Sequence, residues 1–134
     1  MVKLVFILYR RPELTHEEFG HHWLETHAPL VKAAAGAIEV RRYVQSHVVP
    51  GAASADLDVN GGLSATALPD GVAELWWESA EAMTAAFGGE GWSRVSGILA
   101  ADEAKFIDSS RSFSFLTEEH EIVALLGPPD QRAV

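Results

Sequence analysis

Residues 23–30, WLETHAPL, hold an indole (Trp23), an imidazole (His27) and a proline (Pro29) within eight positions. An imidazole titrating near neutrality can take or give a proton at ordinary pH, so His27 is the first candidate for chemistry. At ~100° per residue, His16, Gly20, Trp23, His27, Val31 and Ala34 fall on one helical stripe. Phe19 and Leu30 flank it on one side and Leu24 on the other. His27 is therefore expected among core residues, and His21 and His22 facing water. Pro29 has no amide hydrogen, so the carbonyl of Glu25 loses its helical partner and a kink is expected near Ala28. A kink beside a buried imidazole can free a carbonyl to hold one tautomer. The plainer alternative is a hydrogen-bonded core histidine, with Pro29 opening a new helical turn.

Other side chains could assist. Tyr9, at the end of a first strand, is a second proton donor or an orienting group. Tyr43 and His47 share the polar row of a second strand. Trp23 and Trp76 offer flat apolar walls for a bulky or aromatic molecule. Glu74 shares a strand face with Trp76 and either pairs with an arginine such as Arg41 or orients a substrate. The expected catalytic pair is thus His27 and Tyr9, with Trp23, Tyr43, His47, Glu74 and Trp76 in substrate binding. Asp108 sits in a turn and is expected to cap it.

Six histidines raise the question of a metal, but they form no clean i, i+4 pair, HExxH is absent, and there is no cysteine. No glycine-rich loop joins a strand to a helix, and there is no G-x-S-x-G elbow. We expect no metal and no cofactor.

The elements that must position these residues follow in order. Residues 2–9 read as a strand apolar on both faces, hence a central one. Thr15 and Glu18 make a capping box, so a helix runs from about His16 to Ala35 and stops at Gly36. Residues 37–48 read as a strand whose Ile38, Val40, Val44 and Val48 face a core. Arg41, Tyr43, Gln45 and His47 make its polar row, facing solvent, a cavity or a subunit contact. Residues 49–69 form a long loop rich in Gly, Ala, Ser and Asp, either a flap or an excursion. Residues 71–78 are a third strand. Ser79 caps a helix over 80–87, and a second helical stretch covers about 91–104. Residues 111–116 are a last strand, which the apolar run near 122–126 could extend, and 127–134 are a tail. One domain is expected over 1–126.

The order βαββαβ is a ferredoxin-like α+β fold, an antiparallel sheet with both helices on one face. Nothing is left to cover the other face, so a homodimer is expected, with the two sheets facing each other and enclosing a chamber that His27 reaches. A net charge of −9 argues against nucleic acid and anionic membranes as partners. The apolar run MVKLVFILY is too short for a membrane span and lacks a cleavage site, so a cytoplasmic protein is expected.

Three segments, YRRPELTHEEFGHHWLETHAPLV (9–31), RRYVQSH (41–47) and DGVAELWWES (70–79), resemble the EthD family, named for ethyl tert-butyl ether degradation. Weaker matches are FIDSS (106–110) and TEEHEIV (117–123). The resemblance implies a dimeric α+β barrel and matches His27 to the family's motif histidine. It also implies association with an ether-degrading monooxygenase system, or decarboxylase and cyclase-like lyase roles in polyketide pathways. The expected function is therefore acid/base chemistry, without a cofactor, on an apolar or aromatic molecule, in association with an oxidoreductase. The alternatives are a non-catalytic accessory protein that binds a hydrophobic compound for a partner oxygenase, and a polyketide decarboxylase or cyclase-like lyase.

Overall fold

The computed structural model describes residues 1–49 and 68–129. Its elements are β1 (Val2–Leu8), α1 (His16–His22), a π-helical turn (Trp23–His27), α2 (Ala28–Ala34), β2 (Arg42–His47), β3 (Gly71–Trp77), α3 (Ala80–Phe87), α4 (Glu90–Phe106) and β4 (Phe113–Glu118). The strands form one antiparallel sheet in the order β2-β3-β1-β4, which is the ferredoxin-like arrangement with β1 and β3 in the middle. Most of the expected 49–69 loop and the last residues of the tail lie outside the described residues. Among the described residues, no helix is long and apolar enough to cross a membrane.

The first helix begins where its capping box puts it. The Thr15 hydroxyl accepts from the Glu18 amide at 3.0 Å, and the Glu18 carboxylate accepts from the Thr15 amide at 2.9 Å. The expected run to Ala35 is broken by the π-turn, in which the Ala28 amide donates to the Trp23 carbonyl. Pro29 opens α2 immediately after it. Proline has no hydrogen to give the Glu25 carbonyl, and the helix absorbs that missing bond by slipping to i→i+5 pairing for one turn. The expected kink is this slip.

The second strand is shorter than the sequence pattern suggested. Residues 37–39 form turns, Glu39 takes a positive φ of 58°, and pairing starts at Arg42. Register then decides the faces. Leu4 and Tyr43 both pair with Leu75, so all three project to one side, together with Phe6 and Ala73. The helices pack on this side, where Phe19, Trp23 and Phe106 join Leu8 and Ala73 in one buried cluster. The polar row of β2 is therefore its inward row. Val44, expected in the core set, pairs with Glu74 on the opposite face.

That outer face carries Val5 against Phe115 and Ile7 against Phe113. Phe113 and Phe115 are 55% and 44% exposed, with their rings stacked at 6.2 Å. Trp76 is also here, but it is buried by its own neighbours. The Arg42 guanidinium lies 4.6 Å from its ring centroid, the Lys3 ammonium 5.4 Å, and its indole N–H donates to the Glu119 carboxylate.

Candidate active site

Between the inner sheet face and the helices lies a cavity of about 110 Å³. Leu4, Phe6, Leu75, Trp77, Trp92 and Leu99 are among its apolar walls, and His27, Tyr43 and Glu103 are its titratable residues. Each reaches it from a different element: the π-turn, β2 and α4. Gly71 makes room for one wall, because a Cβ there would stand 2.3 Å and 2.7 Å from ring carbons of Trp23. The indole can lie against β3 only over a glycine.

His27 is 5% exposed, and its Nδ1 lies 2.8 Å from Oδ2 of Asp102. The other oxygen, Oδ1, meets Nε2 of His22 at 3.0 Å. Both imidazoles lean on Phe106, at centroid distances of 5.1 Å and 4.7 Å. In a regular α-helix, positions five apart point about 140° away from each other. The wider π-turn brings both rings onto one carboxylate. This overturns the expectation that His22 faces water: its side chain is only 26% exposed.

The charges follow from these bonds. Burial acts to raise the pKa of Asp102, but hydrogen bonds from His27 and His22 outweigh it and leave the carboxyl below its ordinary value of 3.8. Asp102 is thus an acceptor, and Nδ1 of His27 carries the proton. Burial lowers the pKa of His27 below 6.5, with Asp102 opposing it, so the ring is neutral at pH 7 and Nε2 holds a lone pair. That nitrogen sits 3.9 Å from Oε1 of Glu103 on the cavity. Burial first, and the neighbouring Asp102 second, raise Glu103 above its ordinary value of 4.5. Burial likewise holds Tyr43 as a phenol. Its oxygen accepts from Nε2 of Gln45 at 2.9 Å, and Gln45 also donates to the Trp23 carbonyl at 3.0 Å. A neutral base, a carboxyl biased toward protonation and a phenol thus converge in apolar surroundings, an arrangement suited to moving protons on a bound molecule.

Of the residues singled out from sequence, His27, Trp23 and Tyr43 meet in this cavity. His47 stands behind it, its ring tilted against Trp23 at a centroid distance of 4.4 Å and bonded to Gln45 Oε1 at 2.8 Å. Tyr9 lines a separate hollow with Arg10, Asp70 and Arg111, and the Arg111 guanidinium lies 4.2 Å from its ring centroid. Glu74 and Trp76 are on the outer face. Glu74 pairs with Lys3 at 2.8 Å, while Arg41 pairs with Glu78 at 3.3 Å. Asp108 caps its own turn through Ser110. The expected chamber is also relocated. The helices pack on the inner face, so His27 opens on a cavity within one chain and not on the space beyond the outer face.

Asp102, Glu103, His22 and Trp92 were not singled out from sequence. Leu99, Asp102, Glu103 and Phe106 follow i, i+3, i+4, i+7 spacing on α4, which places two acids on an apolar stripe. A carboxylate buried there needs a partner, and that was the available signal. Among the described residues, no three His, Asp or Glu side chains are placed to hold a metal ion.

The EthD domain profile matches residues 11–110. An ethyl tert-butyl ether (EthD) family protein from Bacillus halodurans C-125 is similar in structure, with a TM-score of 0.58 and 23% identity over 90% of this chain and 99% of its own. HapK from Hahella chejuensis gives a TM-score of 0.56 at 12% identity, covering 95% of this chain and 100% of its own. An EthD-like protein from Ralstonia eutropha JMP134 gives 0.51 at 19% identity, with 97% of each chain covered. No curated protein sequence matches the chain.

Proposed function

The chain belongs to the EthD family, and from that premise and the geometry at His27 we propose that it is an enzyme that transfers protons on a small apolar or aromatic molecule. The base is Nε2 of His27, with Asp102 fixing its tautomer, the Tyr43 phenol as a neutral donor and the Glu103 carboxyl beside it. One observation carries this reading: the Asp102 carboxylate holds Nδ1 of His27 at 2.8 Å and so leaves Nε2 as the basic atom beside the cavity. The chemistry draws on the chain's own side chains.

Ring opening of 1,2-benzisoxazole tests it directly. A base removes the proton on C3, those electrons form the nitrile as the N–O bond breaks, and 2-cyanophenolate is released. The wild type should accelerate this reaction, and His27→Ala should lose about 10²–10⁴-fold. No acceleration by the wild type would remove the proposed role. The apolar lining supports a second reading, an accessory protein that carries a hydrophobic compound for an oxygenase; binding without turnover would favour it.

A homodimer through the outer sheet faces is part of the same proposal, supported by the exposed stacked pair Phe113 and Phe115. Sedimentation should give twice the chain mass, and Phe115→Arg should reduce it to one chain.

A further inference from the structure

The cavity is negative or neutral at every titratable position. His27, Tyr43 and Glu103 are its only ionisable lining residues among those described; lysine and arginine are absent from the lining. The buried charge nearest to His27 is the Asp102 carboxylate at 2.8 Å. A ligand carboxylate entering this site would lose its hydration and meet a neutral imidazole, a phenol and a second carboxyl group. Burying an anion without a cation costs several kcal/mol. An uncharged molecule has no such penalty. Its carbonyl or hydroxyl oxygen can accept from the Tyr43 phenol, and an acidic hydrogen can be offered to His27 Nε2.

We infer that the site selects uncharged carbonyl or hydroxy compounds and rejects carboxylates of the same shape. The inference rests on the reading of this cavity as the active site and deepens it. It separates the reactions open to the family resemblance, because decarboxylation of a free acid would start from an anion the cavity has no means to hold.

Acetophenone and benzoate make a matched pair, since they share a skeleton and differ at one substituent, methyl against oxyanion. Each is titrated at pH 7 into the full chain labelled with ¹⁵N, and the indole N–H signals of Trp77 and Trp92 are followed. Acetophenone should bind at least tenfold more tightly than benzoate and shift both signals. Glu103→Lys should admit benzoate and reverse the order. Equal or tighter binding of benzoate by the wild type would overturn the inference, as would failure of acetophenone to move the indole signals. The titration reads binding alone, so its outcome is independent of the ring-opening assay that tests proton transfer.

Discussion

His27 and Asp102 are 75 positions apart in the chain, yet Nδ1 of one lies 2.8 Å from Oδ2 of the other, and both are almost fully buried. The contact joins the π-turn of the first helical layer to the last two turns of α4. It determines which imidazole nitrogen is basic. Replacing Asp102 with Asn removes the charge and the obligatory acceptor, so the ring is free to change tautomer. Asp102→Asn should lower kcat/KM for 1,2-benzisoxazole by roughly 10²–10⁴-fold. Losing these bonds should lower stability by about 1–3 kcal/mol, read from urea unfolding.

The pH dependence follows from the same contact. Burial lowers the pKa of His27, so the acid limb of kcat/KM should have its midpoint below 6.5. Between that midpoint and 6.5, the unfolded chain binds more protons than the folded one, so stability rises with pH through this window and is lost as pH falls through it. The lowered pKa of Asp102 adds a second loss at more acid pH, below 3.8. Burial raises Glu103, which acts in the opposite direction, so the His27 part is read as the difference in urea midpoint between wild type and His27→Ala; that difference should shrink as pH falls from 7 to 5, and growth on acidification would contradict it.

Pro29 is predicted to matter for register more than for stability. Pro29→Ala supplies the missing amide hydrogen, which allows the Glu25 carbonyl its ordinary partner and the π-turn a route back to α geometry. His22 and His27 would then diverge and could not both reach Asp102. Turnover should fall by about 10²-fold, the scale set by a misplacement of about 1 Å, while the thermal midpoint should hold or rise. Unchanged turnover would show that the turn does not depend on the proline.

Gly71 tests the wall. A methyl group at this position meets the Trp23 ring well inside contact distance, and the Ser46 carbonyl lies 3.1 Å away on another side. Gly71→Ala should cost about 1–3 kcal/mol in urea unfolding. It should also push the indole toward the cavity and weaken acetophenone binding. Full stability with an altered Trp fluorescence would mean that the ring had found another seat.

Local patterns carry much of this molecule. The capping box at Thr15 starts α1, the doubly apolar β1 occupies the centre of the sheet, Pro29 breaks the helix, and the βαββαβ order leads to the fold. Each depends on residues within a few positions of one another or on strand alternation, and these are legible before folding. Trp23, His27 and Tyr43 could be nominated in the same way, because residue type and helical or strand period are enough to put them on apolar or mixed faces.

Three-dimensional packing decided the rest. Whether the row Tyr43, Gln45, His47 looks inward depends on the register of β2 against β3, and a one-residue change would send it to the other side. Tyr9 and Glu74 have the right chemistry and the wrong location, one at another hollow and one across the sheet. His22 joined the site because a single π-turn changed the angle between two positions that a 3.6-residue period holds apart. Asp102 and Glu103 became partners of His27 only when α4 packed beside the π-turn, a contact between segments 75 residues apart that no local spacing encodes. The sequence by itself therefore determined the elements and the candidate base; the tertiary structure alone decided which groups surround that imidazole, because those groups come from elements that meet only in the folded chain.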